Sequence, residues 1–227
     1  MKKSPHPQAS LYYQSFQRDQ IRREIEVYQQ LPASHDRLIK MLACTDDDDD
    51  EATAEIVLQY MPLGDLDRFL RTTADITIEQ RHDWAIQATE AVVLLHTYGI
   101  IHADIRPANM LLDTDLGLRI IDFAGSSVNG KDPLCLEETR FFLPRSIHMD
   151  TLCTVATDIF ALGSSIYQIF TSHPPYHDLE AEEVQARFTD KVFPDLGDVP
   201  YQDVIRACWL GDLDSPQAVL HELNKSL

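Results

Sequence analysis

No run of apolar residues in this 227-residue sequence approaches the roughly 20 needed to cross a bilayer, and Lys2 and Lys3 lead into SPHPQAS rather than an apolar segment. Neither membrane insertion nor secretion is expected, and the chain reads as cytoplasmic or nuclear. Cysteine is scarce: Cys44, Cys135, Cys153 and Cys208 lie far apart with no CxxC pair, which argues against a zinc site and against a disulfide framework. Positive charge is scarce too. With 19 Lys and Arg against 37 Asp and Glu, the formal net charge is -18, which repels polyphosphate backbones and anionic headgroups. Nucleic acid and membranes are therefore not expected partners, and the oligomeric state stays open. Internal repeats and long linkers are absent, while 44% hydrophobic and 25% charged residues exclude collagenous, fibrous and disordered classes. The length suits one large domain or two small lobes.

What is present is organised by period. Residues 17–31 carry Ile21, Ile25, Tyr28 and Leu31 on one helical stripe, with Glu24 inside it. An inward carboxylate needs a partner, unless it sits at the boundary and reaches water. Strand-like runs at 38–43 and 54–60 flank the acidic run Asp46 to Glu51, which reads as a solvated hairpin loop, a cation loop being the alternative. Gly64 then breaks the chain before a short helix. Thr77 caps a long helix with Trp84, Ala88, Val92 and Leu95 on its apolar face, and Gly99 stops it. Ile100 and Ile101 form a strand stub, residues 102–109 a polar loop, and 110–112 and 118–121 a short hairpin turned by Asp113 to Gly117. Residues 158–171 are nearly all apolar, a helix buried on most sides, and Ser215 with Pro216 opens a last helix.

Chemistry concentrates around the short hairpin. Asp104 and Asn109 precede it and Asp122 leaves it, so the topology gathers two carboxylates and an amide. Oxygen ligands in that arrangement suit magnesium on nucleotide phosphates, with one carboxylate orienting an attacking hydroxyl. Each alone is also an ordinary turn former, and His102 and Phe123 are ordinary packing residues; their joint placement is the signal.

At these residues the sequence resembles the eukaryotic-type protein kinase family, from about residue 20 to the end. HADIRPANMLL is similar to the catalytic loop HRDxxxxN, and IIDFAG to the magnesium-binding DFG segment. Segments 121–130 and 138–144 resemble IDFxGSSxxG and ETRFxLP of a group of compact fungal kinase-like proteins. The resemblance implies an α+β, bilobal fold with an incomplete N-lobe and hinge over 1–61 and a mainly helical C-lobe over 62–227. It implies ATP and Mg2+ as cofactors and a protein substrate. Carried over by position, Asp104 orients the substrate hydroxyl, Arg106 faces the transferred phosphate, and Asn109 and Asp122 ligate the metal. IVLQYMPLGDLDRFL is similar to the hinge, which makes Leu58 the gatekeeper, puts the backbone of Gln59 and Met61 against adenine and makes Leu111 the pocket floor. RREIEVYQQL resembles the C-helix, so Glu24 would pair with the nucleotide-binding lysine, for which Lys3 is the candidate; a solvated terminal lysine is the other reading. His102 and Phe123 are structural, and Asp158 braces the catalytic loop.

The departures are informative. Only 23 residues precede Glu24, too few for the glycine-rich loop and its strands, which implies weak nucleotide grip and slow transfer. Ala103 and Ala124 replace an arginine and a glycine of the family pattern. Arg145 stands where the family has a glutamate, and CWLGDLDSP lacks that glutamate's arginine partner, so one buried ion pair is absent as a unit. Two other functions stay open: a pseudokinase acting as a binding or scaffold module, and a small-molecule phosphotransferase of aminoglycoside or choline kinase type.

Overall fold

The structure is a computed structural model in which residues 1–6, 10–46, 54–145 and 152–225 are described. Its first part is a three-stranded antiparallel sheet with one helix. Strands β1 (Lys2–Lys3), β2 (Met41–Asp46) and β3 (Ala54–Leu58) lie in the order β1-β3-β2, with Lys3 opposite Ile56. Helix α1 (Leu11–Gln30) begins six residues before the 17–31 stretch that carries the apolar stripe. Ser10 supplies the start, its Oγ accepting from Tyr13 N at 3.3 Å, whereas Tyr12 and Tyr13 face solvent and leave no periodic signal. The stripe itself is buried as expected, and Leu31 is the cap rather than a helical residue.

Strand β2 lies three residues later than its apolar run suggested. Leu38 and Ile39 are buried for another reason: Leu38 makes a parallel bridge to Ile120, and Ile120 N donates to Arg37 O at 2.9 Å. That stretch docks the first part of the molecule on the second. The hairpin is antiparallel as expected, with Asp46 opposite Ala54 and bound to Arg22 Nε at 2.8 Å; the rest of the acidic run lies outside the described residues. Strand β3 stops at Leu58, because Tyr60 is exposed and beyond the ladder.

The second part is mainly helical. Gly64, at φ +74°, turns the chain into α2 (Leu66–Thr72), capped by Asp65, and Thr77 Oγ1 accepts from Gln80 N to open α3 (Ile78–Thr97). Trp84, Ala88, Val92 and Leu95 are fully buried. Strand β4 (Ile100–Ile101) pairs with β7 (Ser127–Val128), and β5 (Met110–Leu112) with β6 (Leu118–Ile120). Helix α4 (Val155–Thr171) is buried at every position from Thr157 to Ile166, beneath α3 and against α6 (Gln202–Leu210), where Trp209 Nε1 donates to Ser164 Oγ at 2.9 Å. Helices α5 (Ala181–Thr189) and α7 (Pro216–Lys225) complete it, the latter opened by Ser215 and Pro216 as expected. This is the α+β, kinase-like architecture that the motifs imply. No helix among the described residues is long and apolar enough to cross a membrane.

Candidate active site

The loop between β4 and β5 is fixed from beneath by Asp158 on α4. That carboxylate is fully buried and meets three N–H donors: His102 N at 2.8 Å, Ala103 N at 3.1 Å and His96 Nε2 at 2.9 Å. Asp158 thus holds the His102–Ala103 backbone from below, and His96 is a partner that sequence reasoning missed. Ala103 adopts φ +68°, a left-handed turn enforced by those two backbone bonds. The His102 ring bridges the loop internally, with Nε2 donating to Ile121 O at 3.0 Å and Nδ1 accepting from Asp104 N at 3.2 Å. A carbonyl on one side and an amide on the other select the neutral Nε2–H tautomer.

Those bonds aim Asp104. Its Oδ2 accepts from Arg106 Nε at 3.0 Å and Asn109 Nδ2 at 2.8 Å, while Asn109 Nδ2 also reaches Asp104 O at 2.8 Å. Oδ1 is buried and has no hydrogen-bond partner among the described residues. Asn109 closes a short 3-10 turn, Pro107–Asn109, and its carbonyl accepts from Ile121 N at 3.0 Å, which sets the exit of β6 beside it. There Asp122 takes φ +70°, a conformation aspartate tolerates better than most residues. Phe123 follows, edge-on to His102 at 5.5 Å and to Tyr28 of α1 at 5.1 Å, so one ring ties the helix to the loop.

Strand β1 brings the cation. Lys3 Nζ lies 2.8 Å from Glu24 Oε2, 3.0 Å from Glu24 Oε1 and 2.9 Å from Asp122 Oδ1. Neither bland alternative survives: Glu24 is fully buried rather than reaching water, and Lys3 is anchored rather than solvated. Burial pulls the Lys3 ammonium toward neutrality, but Glu24 and Asp122 outweigh it and raise its pKa above the ordinary lysine value. Burial raises the Glu24 pKa, with Lys3 opposing.

Lys3, Glu24, Asp104 and Asp122 line one cleft of about 520 Å³. Cys135 lines it as well, a residue no spacing pointed to, and burial pushes its thiol up to about 12, so it is an unreactive wall. Among the described residues no three His, Cys, Asp or Glu side chains converge as a metal cage. Asp122 instead offers a hard oxygen beside a lysine on the cleft wall, whereas Asn109 is buried behind Asp104 and does not line the cleft; so sparse a set fits magnesium, an ion that keeps water and takes substrate phosphate oxygens.

The other expected residues lie outside that cleft. Arg106 lines a second groove, with only Nε turned to Asp104. Leu58 is fully buried at the end of β3; Gln59 N donates to Lys40 O at 2.9 Å and Met61 O accepts from Gly64 N at 3.3 Å. The Gln59 carbonyl and Met61 amide are left without partners among the described residues. Leu111, half-buried on β5, faces this segment through its bridge to Asp65. Sequence reasoning also missed what Arg145 does. It pairs with buried Glu137 at 2.8 Å and covers the Phe142 ring at 4.4 Å, so a different ion pair anchors the segment after Asp122. No periodicity links the two residues, eight apart in a loop.

Comparison with known proteins agrees with this geometry. The protein kinase domain family matches residues 2–206. An Aurora kinase of Yarrowia lipolytica is 30% identical over 185 residues, covering 80% of this chain and 47% of that protein. An Aurora kinase of Schizosaccharomyces pombe is 28% identical over 176 residues, covering 76% and 48%. The serine/threonine-protein kinase PDK1 of Cryptococcus neoformans is 26% identical over 153 residues, covering 63% and 12%. The chain thus spans less than half the length of these relatives. With the family model running through Lys3, Glu24, Asp104, Asn109 and Asp122, the chain belongs to the protein kinase domain family.

Proposed function

We propose that this chain transfers the terminal phosphoryl group of ATP to serine or threonine hydroxyls of proteins, with magnesium as cofactor. The observation that carries the reading is the convergence on one cleft of Asp104 with the Lys3, Glu24 and Asp122 cluster. Arg106 and Asn109 fix Oδ2 and so hold the Asp104 carboxylate at the cleft, where it accepts the proton of an acceptor hydroxyl. Glu24 keeps Lys3 extended toward the phosphates. Asp122 and Asn109 are the ligands for magnesium, which when bound neutralises phosphate charge. Leu58, the Gln59 carbonyl, the Met61 amide and Leu111 form the adenine end, and the lobes divide at 1–61 and 62–227. The relatives named as serine/threonine-protein kinases support a protein hydroxyl acceptor over a small molecule.

The test is phosphotransfer to a generic protein substrate by the wild type and Asp104→Asn, with nucleotide binding measured alongside. The variant should bind nucleotide normally and lose about 100-fold or more in rate. Undiminished transfer would overturn the role of Asp104. Binding without transfer in the wild type would favour a binding module.

A further inference from the structure

The second groove, of about 410 Å³, opens on the Arg106 side of Asp104, between α2, the Pro107–Asn109 turn, the Thr139–Phe141 turn and the end of α4. Three guanidinium groups line it, from Arg71, Arg106 and Arg140, in a chain with only 19 Lys and Arg. Two carboxylates line it too, but the chain itself has used them. Asp67 accepts from Gln168 Nε2 at 2.7 Å and from Arg71; Glu138 accepts from Arg140 N at 3.1 Å and Arg140 Nη1 at 3.5 Å.

The donors are not used up. A guanidinium carries five N–H groups. Arg106 commits only Nε and Arg71 only one terminal nitrogen, whereas Arg140 gives Nη1 to Glu138 and Nη2 to Leu179 O. His173 and His177 stack at 4.5 Å on the same wall, adding imidazole without negative charge. Three guanidinium groups against two carboxylates leave the lining one positive charge in excess, and the free N–H groups of Arg71 and Arg106 suit an anion. The groove's position decides which. Because Arg106 touches both Asp104 and this groove, a group seated on its free nitrogens lies beside the carboxylate that orients the acceptor hydroxyl.

We propose that this groove selects acceptor segments with an acidic group, carboxylate or phosphate, close to the serine or threonine. The inference rests on the kinase reading above for the word acceptor, but the groove's preference for an anion does not depend on catalysis. It is therefore tested by binding without nucleotide. Fluorescent peptides identical except for the residues flanking one serine, which are Glu, phosphoserine, Ala or Arg, are titrated with the full chain and followed by anisotropy.

The Glu or the phosphoserine peptide should bind about tenfold tighter than the Ala and Arg peptides. Which of the two leads tells carboxylate from phosphate. Arg71→Gln, on an exposed helix face, should reduce that ratio at least about threefold, and added salt should reduce it further. Equal or tighter binding of the Arg peptide would overturn the proposal. So would an unchanged ratio in both Arg71→Gln and Arg140→Gln. Absence of phosphotransfer, by contrast, would count against the catalytic reading and not against this one.

Discussion

The Lys3 ion pair is the contact on which most of the site geometry turns, and its pH dependence has a definite sign. Lys3 has a raised pKa in the fold, so the stability it contributes is present below the ordinary lysine value and lost as pH rises through the folded one. Glu24 also has a raised pKa, because burial disfavours its charge, so it takes up a proton earlier on acidification than an exposed glutamate does. Lys3→Met leaves Glu24 buried without its cation. The expected destabilisation is about 1–3 kcal/mol near neutral pH, below the range for fully buried pairs because Lys3 is partly exposed. It should shrink as pH falls through the raised Glu24 value. Chemical denaturation at a series of pH values checks this, and a pH-independent difference between wild type and variant would contradict it. Both residues were legible in the sequence, Glu24 as a carboxylate in an apolar stripe and Lys3 through resemblance alone. Tyr28 was legible only as a core residue, although its hydroxyl is buried beside the same cluster with no hydrogen-bond partner among the described residues.

At the scale of elements, packing between α4 and α6 keeps Asp158 under the 102–109 loop. Gly163 permits the approach. A Cβ at that position would stand 2.5 Å from Cys208 Cβ and 3.4 Å from Ile205 O. Alanine favours a helix interior over glycine by about 1 kcal/mol, yet here the steric cost of about 1–3 kcal/mol should dominate. Gly163→Ala is expected to lower the denaturation midpoint, and a raised midpoint would show that the helices yield freely. The buried helix itself was readable from its apolar run, as were α3, the hairpin of β5 and β6, and the cap of α7. Local patterns failed where long-range contacts decided the outcome. Leu38 and Ile39 looked like strand and serve as a lobe contact, β7 has two residues and no period, and the first turns of α1 are held by a cap without an apolar face.

For the whole molecule, the sequence pattern and the motifs agree on two parts meeting at a cleft, because the motifs occupy element ends that topology must bring together. What the motifs could not convey is how substituted positions are repaired. Arg145 is not a leftover of a lost ion pair; it finds Glu137, and the segment after Asp122 is anchored by that bond. The central claim is that Lys3, Asn109 and Asp122 form a magnesium-dependent phosphate site. Titrating ATP into the wild type and Asp122→Ala, with and without magnesium, tests it most directly. Magnesium should tighten binding to the wild type by about tenfold or more and leave the variant unaffected, one charge-assisted contact being worth about 1.5–3 kcal/mol. Binding that ignores magnesium in the wild type, or a magnesium effect that persists in Asp122→Ala, would contradict the account.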